Sequence, residues 1–319
     1  MKLDGKRILL TGATGSFGST ILPVLLKDCA KEIVAYSRDE EKQFWLRTQY
    51  KDAPIRWVIG DVRDLERLKE AMRDVDIVLH AAALKEINYC EDHPVEALKT
   101  NTLGSINVRS AAIENNVGLV VGISTDKAVK PVNTYGMTKA LQERIFTSSH
   151  ELLESETKFA VVRYGNVIGS RGSVVPFFKK KIESKEPLPI TDKRMTRFLL
   201  TLDQAIALVG FALDNVSHTG TIFVRKAPSC GIVDLARVMG GDDYPTEVTG
   251  IRPGEKIHEI LVSEDELRRS EVLDEYVLID PYGIAVDAKC NLEREYSSNS
   301  QALLDDDGIR RLLSQEGFL

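Results

Sequence analysis

The chain has 319 residues, 43% of them hydrophobic, and a formal net charge of -6 at pH 7. That length supports a large buried core in one large or two modest domains, and the interspersed acids and bases leave no basic face for nucleic acid. No run approaches the ~20 apolar residues that span a bilayer, and Met1 to Leu10 holds no apolar stretch of signal-peptide length, so a soluble protein without a membrane anchor is expected.

In chain order, a strand is predicted over 7–11 and a helix over 17–27. Between them Thr11-Gly12-Ala13-Thr14-Gly15-Ser16-Phe17-Gly18 leaves the strand and opens the helix, with glycines three apart. Glycines in that context make a tight turn whose backbone amides can approach a pyrophosphate, which predicts a dinucleotide site. The second strand, 32–37, ends in Tyr36-Ser37-Arg38 before a helix over 39–49. An NAD enzyme places an acid there for the ribose 2′-hydroxyl, whereas Arg38, aided by Ser37 and Lys42, suits a 2′-phosphate. Asp39 and Glu40 follow at once and weaken that preference without reversing it, so NADP is the predicted cofactor. A strand over 56–60 leads to Asp61-Val62, placed to meet adenine, and then to a helix over 64–72. The fourth strand, 76–80, is followed by Ala81-Ala82-Ala83, small enough to keep clear of the cofactor, and by Lys85 at the cofactor's edge.

A helix is predicted over 94–114, then a strand over 118–124 built on the apolar run Leu119 to Ile123. Ser124-Thr125-Asp126-Lys127 therefore sits at the carboxyl end of a buried strand, where open α/β sheets bind ligands. In the next predicted helix, 134–151, Tyr135 and Lys139 are four residues apart and share a face. An ammonium near a phenol lowers its pKa from about 10 toward working pH, so the pair can exchange a proton with a substrate hydroxyl. Alone, a Tyr-x-x-x-Lys spacing recurs by chance in chains of this length. After a strand over 158–164 the rhythm breaks into Gly- and Pro-bearing segments, with a last helix over 203–214 and strand over 221–225. Lys179-Lys180-Lys181 reads as a solvated helix edge, and Asp305-Asp306-Asp307 as a helix start.

The alternation predicts an α/β fold, a doubly wound parallel sheet with a smaller, discontinuous C-terminal lobe. Residues 1–166 plus about 201–226 form the expected dinucleotide-binding domain, and about 167–200 plus 227–319 the expected substrate-binding lobe. Cys29, Cys90, Cys230 and Cys290 lie far apart with no C-x-x-C pair, and no two histidines stand at metal-ligand spacing. Neither a zinc site nor a disulfide framework is predicted, and a cytoplasmic location fits.

Several blocks carry a family resemblance: Tyr36 to Glu40, His80 to Lys85, Ser124 to Ala128, Tyr135-x-x-x-Lys139, Arg163 to Ser173, Ile190 to Phe198 and Gly250 to Lys256. Together they cover most of the chain in order. They resemble the extended short-chain dehydrogenase/reductases acting on nucleotide sugars, and most closely the soluble UDP-N-acetylglucosamine 4,6-dehydratases of the pseudaminic-acid-pathway type. The resemblance implies a Rossmann domain, NADP, a UDP-sugar substrate and net loss of water, in the making of a surface glycan or sialic-acid-like sugar. Tyr135 would take the proton of the sugar 4-hydroxyl, and Lys139 would hold the ribose and depress the Tyr135 pKa. Asp126 corresponds to the acid for the departing 6-hydroxyl and Lys127 to the base at carbon 5, with Thr125 beside them. A lysine base must be neutral, which needs burial or a neighbouring cation, and Lys85 is the expected one. Val167 falls on the cofactor, and Lys85, Asn166, Val175, Thr191, Met195, Arg197 and Arg252 fall on UDP and sugar. Tyr135 and the lack of an anchor lean toward inversion at carbon 5, and a homo-oligomer through helices 94–114 and 134–151 is expected by analogy.

The competing readings keep the fold and change the chemistry. A retaining 4,6-dehydratase differs only in stereochemistry. A 4-epimerase or ketosugar reductase needs Tyr135 and Lys139 but no acid-base pair for a departing hydroxyl, so Asp126-Lys127 discriminates. A redox-sensing NADP-binding module without turnover is disfavoured by the intact Tyr135 and Lys139.

Overall fold

The computed structural model describes residues 3–147, 155–170, 172–280, 292 and 294–319. Arg171, Cys290 and the last four residues of the helix expected over 134–151 lie outside the described residues.

The chain opens with β1 (Arg7–Thr11), α1 (Ser16–Lys27), β2 (Glu32–Ser37), α2 (Glu40–Gln49), β3 (Ile55–Ile59), α3 (Leu65–Ala71) and β4 (Ile77–His80). Then come α4 (Ile87–Asp92), α5 (Pro94–Ala97), a π-helical stretch (Leu98–Leu103), α6 (Gly104–Glu114), β5 (Leu119–Thr125), α7 (Thr134–Thr147) and β6 (Lys158–Tyr164). With β10 (Thr221–Arg225) the first six strands make a parallel sheet in the order β3-β2-β1-β4-β5-β6-β10. The order reverses between β1 and β4, so a crevice opens there at the carboxyl ends of the strands.

The apolar runs explain the layering. Successive side chains of a strand face opposite ways, and in β1 Leu9 enters one core with Val34, Val120, Phe146 and Phe159, while Ile8 and Leu10 enter the other with Ile21, Leu22 and Val209. All seven residues of β5 are buried, as a central strand covered on both faces requires.

Beyond β6 the chain builds a second lobe around its own core, which includes Ile168, Phe178, Leu188, Leu199, Leu235 and Ile309. Its sheet joins β7 (Asn166–Val167), β9 (Thr196–Leu200) and β11 (Ser229–Gly231), and β8 (Leu188–Ile190) pairs in parallel with β12 (Thr246–Val248). The lobe's last helix, Asp306–Gln315, starts as expected: Asp305 caps it by accepting the Gly308 amide at 2.8 Å.

Three features depart from the sequence reading. Helix α4 was not expected. The helix expected over 94–114 is interrupted by the π-helical stretch, in which buried Asn101 bonds both backbone groups of Leu84 at 2.8 and 2.9 Å and the Thr138 hydroxyl at 2.9 Å. Finally, β14 (Ser270–Leu273) and β15 (Tyr276–Ile279), from the span assigned to the lobe, extend the main sheet: β15 pairs antiparallel with β10, and β14 antiparallel with β15. Among the described residues no helix is long and apolar enough to cross a membrane.

Candidate functional site

The glycine turn after β1 is shaped by close approach. Gly12 has φ +69°, where side chains are disfavoured, and a Cβ there would stand 2.9 Å from the Ala82 nitrogen; at Gly18 it would stand 2.4 Å from the Gly12 oxygen. Thr11 fixes the opposite wall, its hydroxyl accepting from the amides of Ala81 and Ala82 at 3.1 and 3.2 Å and bonding His80 Nδ1 at 2.8 Å. Ala13 and Thr14 are buried beneath the turn. Gly15 caps α1 and carries no side chain, so the helix starts without a side-chain cap and its first turn is open to close approach. A backbone cradle at a helix start fits a pyrophosphate.

At the end of β2, Ser37 is buried and its hydroxyl accepts from Gln43 Nε2 at 2.9 Å. Arg38 is exposed and stands 3.4 Å from Asp61, and Lys42 is paired with Asp39, the cap of α2. Burial acts to raise the Asp61 carboxyl, but bonds from Arg63 and the charge of Arg38 hold it below its usual range. Both cations expected at a 2′-phosphate are thus present, each balanced by an acid. Val62 is buried in the core, 2.7 Å from where a Gly104 Cβ would stand, and so packs beneath α6.

A 3-10 turn, Asp126–Ala128, follows β5 directly. Asp126 is fully buried; its Oδ1 accepts from the Thr125 hydroxyl at 2.9 Å and from Lys127 Nζ at 3.0 Å, while its Oδ2 has no hydrogen-bond partner. Burial raises the Asp126 carboxyl, the direction a general acid needs, against the opposing charge of Lys127. Lys127 goes the other way from expectation. Burial disfavours its charge, yet Asp126 and Glu259, the latter 3.5 Å away, together hold it as an ammonium well above its ordinary range. The cation opposing them is Arg197, not Lys85, which is exposed beyond β4.

Tyr135 opens α7, and burial pushes its phenol up to about 12. Lys127 is the cation that opposes this rise, aided by side-chain hydrogen bonding with Thr125. Lys139, expected in that role, is buried and donates to the Ile123 carbonyl at 2.5 Å and to Gln142. Burial pushes its own pKa down to about 7 against the pull of Glu143.

From the second lobe, Arg197 lies in β9, its guanidinium donating to the carbonyls of Thr196, Ile257 and Lys256 at 2.7 to 3.0 Å and standing 3.8 Å from Glu259. Arg252 is exposed and pairs with Glu255. Val175 and Met195 are buried in the lobe's core, and Thr191 donates to the Met195 sulfur at 3.0 Å. Val167 is buried, and the Asn166 Oδ1 is buried without a hydrogen-bond partner. The structure therefore brings Thr125, Asp126, Lys127 and Tyr135 together, with Arg197 at their edge and Arg252 on the surface.

Sequence reasoning missed Glu259 and the buried network behind the site. Arg163 bonds both Glu143 and Glu266 through paired contacts of 2.6 to 3.0 Å, and Glu143 also accepts from the Ser124 hydroxyl at 2.6 Å. The signal for Glu259 was a lone acid opening the apolar run Ile260-Leu261-Val262.

Residues 8–281 match the polysaccharide biosynthesis protein family. A UDP-N-acetylglucosamine 4,6-dehydratase (inverting) of Campylobacter jejuni is 45% identical over 93% of this chain and 88% of its own length. A UDP-glucose 4-epimerase of Rickettsia bellii is 40% identical over 97% of this chain and 95% of its own. Among solved structures, Pen from Bacillus thuringiensis superposes with a TM-score of 0.93 at 37% identity, each chain covered in full.

Proposed function

The chain belongs to the polysaccharide biosynthesis protein family, and from that premise we propose that it removes water from UDP-N-acetylglucosamine across carbons 4 to 6, as a nucleotide-sugar hydro-lyase. The observation that carries this reading is the buried Asp126–Lys127 contact of 3.0 Å beside Tyr135. Oxidation alone needs only Tyr135 and Lys139; loss of the 6-hydroxyl needs an acid and a base.

The chemistry a nicotinamide dinucleotide supplies when bound is removal of hydride from carbon 4 and its return at carbon 6. Gly12 to Gly18 would hold its pyrophosphate, Arg38 its 2′-phosphate, and Lys139 its ribose. NADP is the form we assign, on the cations at the end of β2. The reacting sugar is served by the chain's own groups. Tyr135, ionised to the phenolate against the cost of burial and with the charge of Lys127 in its favour, takes the proton of the 4-hydroxyl as carbon 4 becomes a ketone, which acidifies the hydrogen on carbon 5. Lys127 then removes that hydrogen as Asp126 protonates the leaving hydroxyl.

Both groups must start in the form opposite to their ion pair, and one proton shift achieves this. Moving the Lys127 proton across the 3.0 Å bond to Asp126 Oδ1 leaves a neutral amine and a neutral acid. Displacing water from the site favours that shift, because burial disfavours both charges. After elimination Lys127 holds the carbon-5 proton and Asp126 is a carboxylate, which restores the ion pair. Reprotonation of carbon 5 from the opposite face gives the inverted sugar, the outcome we assign.

Exposed Leu98, Leu103, Ile106, Met137 and Leu141 form apolar surface on the π-helical stretch, α6 and α7, which pack side by side; we take this as the contact of a homo-oligomer. A cytoplasmic location accords with free Cys29, Cys90 and Cys230.

The similarity to UDP-glucose 4-epimerases favours one second reading, epimerisation at carbon 4. Incubation with UDP-N-acetylglucosamine and NADP, followed by mass spectrometry and NMR, separates the two. A product lighter by one water supports dehydration; a 4-epimer of unchanged mass supports epimerisation.

A further inference from the structure

The proposal concerns Glu259, and it rests on the dehydratase reading above. Glu259 is 3% exposed, reaches the site from the second lobe, and has one carboxylate oxygen 3.5 Å from Lys127 Nζ and 3.8 Å from Arg197 Nε. The other oxygen has no hydrogen-bond partner and stands 3.8 Å from Lys256 Nζ. A buried carboxylate is costly unless paired, and of these contacts only the one to Lys127, at 3.5 Å, comes near hydrogen-bond reach. Such a group is more use as a fixed charge than as a clasp.

Its placement bears on one step. Lys127 faces Asp126 on its own turn, Tyr135 on α7, Arg197 on β9, and Lys256 and Glu259 on the strap that precedes β13 (Ile260–Val262). Of the two carboxylates, Asp126 must itself carry the shared proton during elimination. Only Glu259 keeps its negative charge through the cycle, and Lys256 and Arg197 hold it ionised.

We propose that Glu259 is a positioning residue for the base: its fixed charge, balanced by Lys256, sets the pH range in which Lys127 and Asp126 share a single proton and so are competent for elimination.

The sign follows from Coulomb's law. Removing the Glu259 charge makes both partners release protons more readily, so both limbs of the pH profile move to lower pH. Removing the Lys256 charge moves them to higher pH. The limbs belong to the Asp126–Lys127 pair rather than to either residue.

The test is kcat/KM for water loss from UDP-N-acetylglucosamine, with NADP, across the neutral to alkaline range. It uses the native enzyme, Glu259→Gln, Glu259→Asp and Lys256→Gln, each checked for native circular dichroism. Glu259→Gln is expected to move the profile down by about one pH unit, Lys256→Gln to move it up, and Glu259→Asp to leave it in place. A structural role would lower the rate without moving a limb. Superimposed profiles for native and Glu259→Gln, or a shift in the same direction for both charge removals, would overturn the proposal. Should Glu259→Gln fail to fold, a Lys256→Gln profile that stays or falls overturns it alone. Failure of the native enzyme to release water is a separate result, and it defeats the dehydratase reading instead.

Discussion

The side chain of Asn133 faces both lobes: its Oδ1 accepts the Gly136 amide at 2.7 Å at the start of α7, and its Nδ2 donates to the Gly254 carbonyl at 2.8 Å. Gly254, at φ +82°, lies so close that a Cβ there would stand 3.0 Å from the Asn133 Cβ. Two residues on, Lys256 Nζ donates to the Val129 carbonyl at 2.5 Å. The segment carrying Arg252 is thereby tied to the helix that carries Tyr135 and to the turn that carries Lys127.

Asn133→Ala removes a helix cap and this tie together. A lost cap costs about 1 kcal/mol, so a lower Tm is expected, with kcat falling more than substrate affinity because Tyr135 is less well held. Unchanged kcat in a destabilised variant would show that the tie is structural only.

Arg163 is 1% exposed between Glu143 and Glu266. Arg163→Met leaves two buried carboxylates without their counter-charge, which costs about 3 to 5 kcal/mol. Urea denaturation should show this loss, and a change under about 1 kcal/mol would contradict it. The triple variant with Glu143→Gln and Glu266→Gln should recover part of it.

Lys139 sets a pH dependence of stability. Burial brings its folded pKa down to about 7, below the ordinary lysine value of 10.5. Between those values the unfolded chain binds the extra proton, so stability rises with pH. Burial of the charged form is penalised in full below about pH 7, and the penalty is gone above about pH 10.5. Lys139→Met lacks that term, so its stability relative to the native protein should be greatest near neutral pH and should shrink as pH rises. A difference independent of pH would show that Lys139 is not neutralised on folding.

Arg38→Ala should weaken NADP binding about tenfold or more, the worth of a charge-assisted hydrogen bond, and leave NAD binding nearly unchanged. Fluorescence titration with both dinucleotides reads the ratio. Equal losses for the two would move the 2′-phosphate contact elsewhere.

Tyr135→Phe removes the proton acceptor at the 4-hydroxyl and should lower kcat by at least about 100-fold, with UDP-sugar affinity retained. Isothermal titration and product mass spectrometry separate the two effects. Loss of affinity in proportion to rate would make Tyr135 a binding residue.

The sequence by itself determined the parallel sheet, because runs such as Leu119 to Ile123 are apolar on both faces and alternate with helical periods. It also determined the glycine turn, because Gly12, Gly15 and Gly18 stand directly between strand and helix, and the neighbourhood of Asp126, Lys127 and Tyr135, because local spacing carries them to one strand end. Local spacing says nothing of charge state. Only the tertiary structure showed that Glu259, from a segment more than a hundred residues later, joins Asp126 in favouring the charged form of Lys127. Only the tertiary structure turned Lys139 onto the Ile123 carbonyl and packed Val175 and Met195 into the second lobe's core. A pKa or a contact in a buried site is the sum over every element packed there, and most of those elements are distant in the chain.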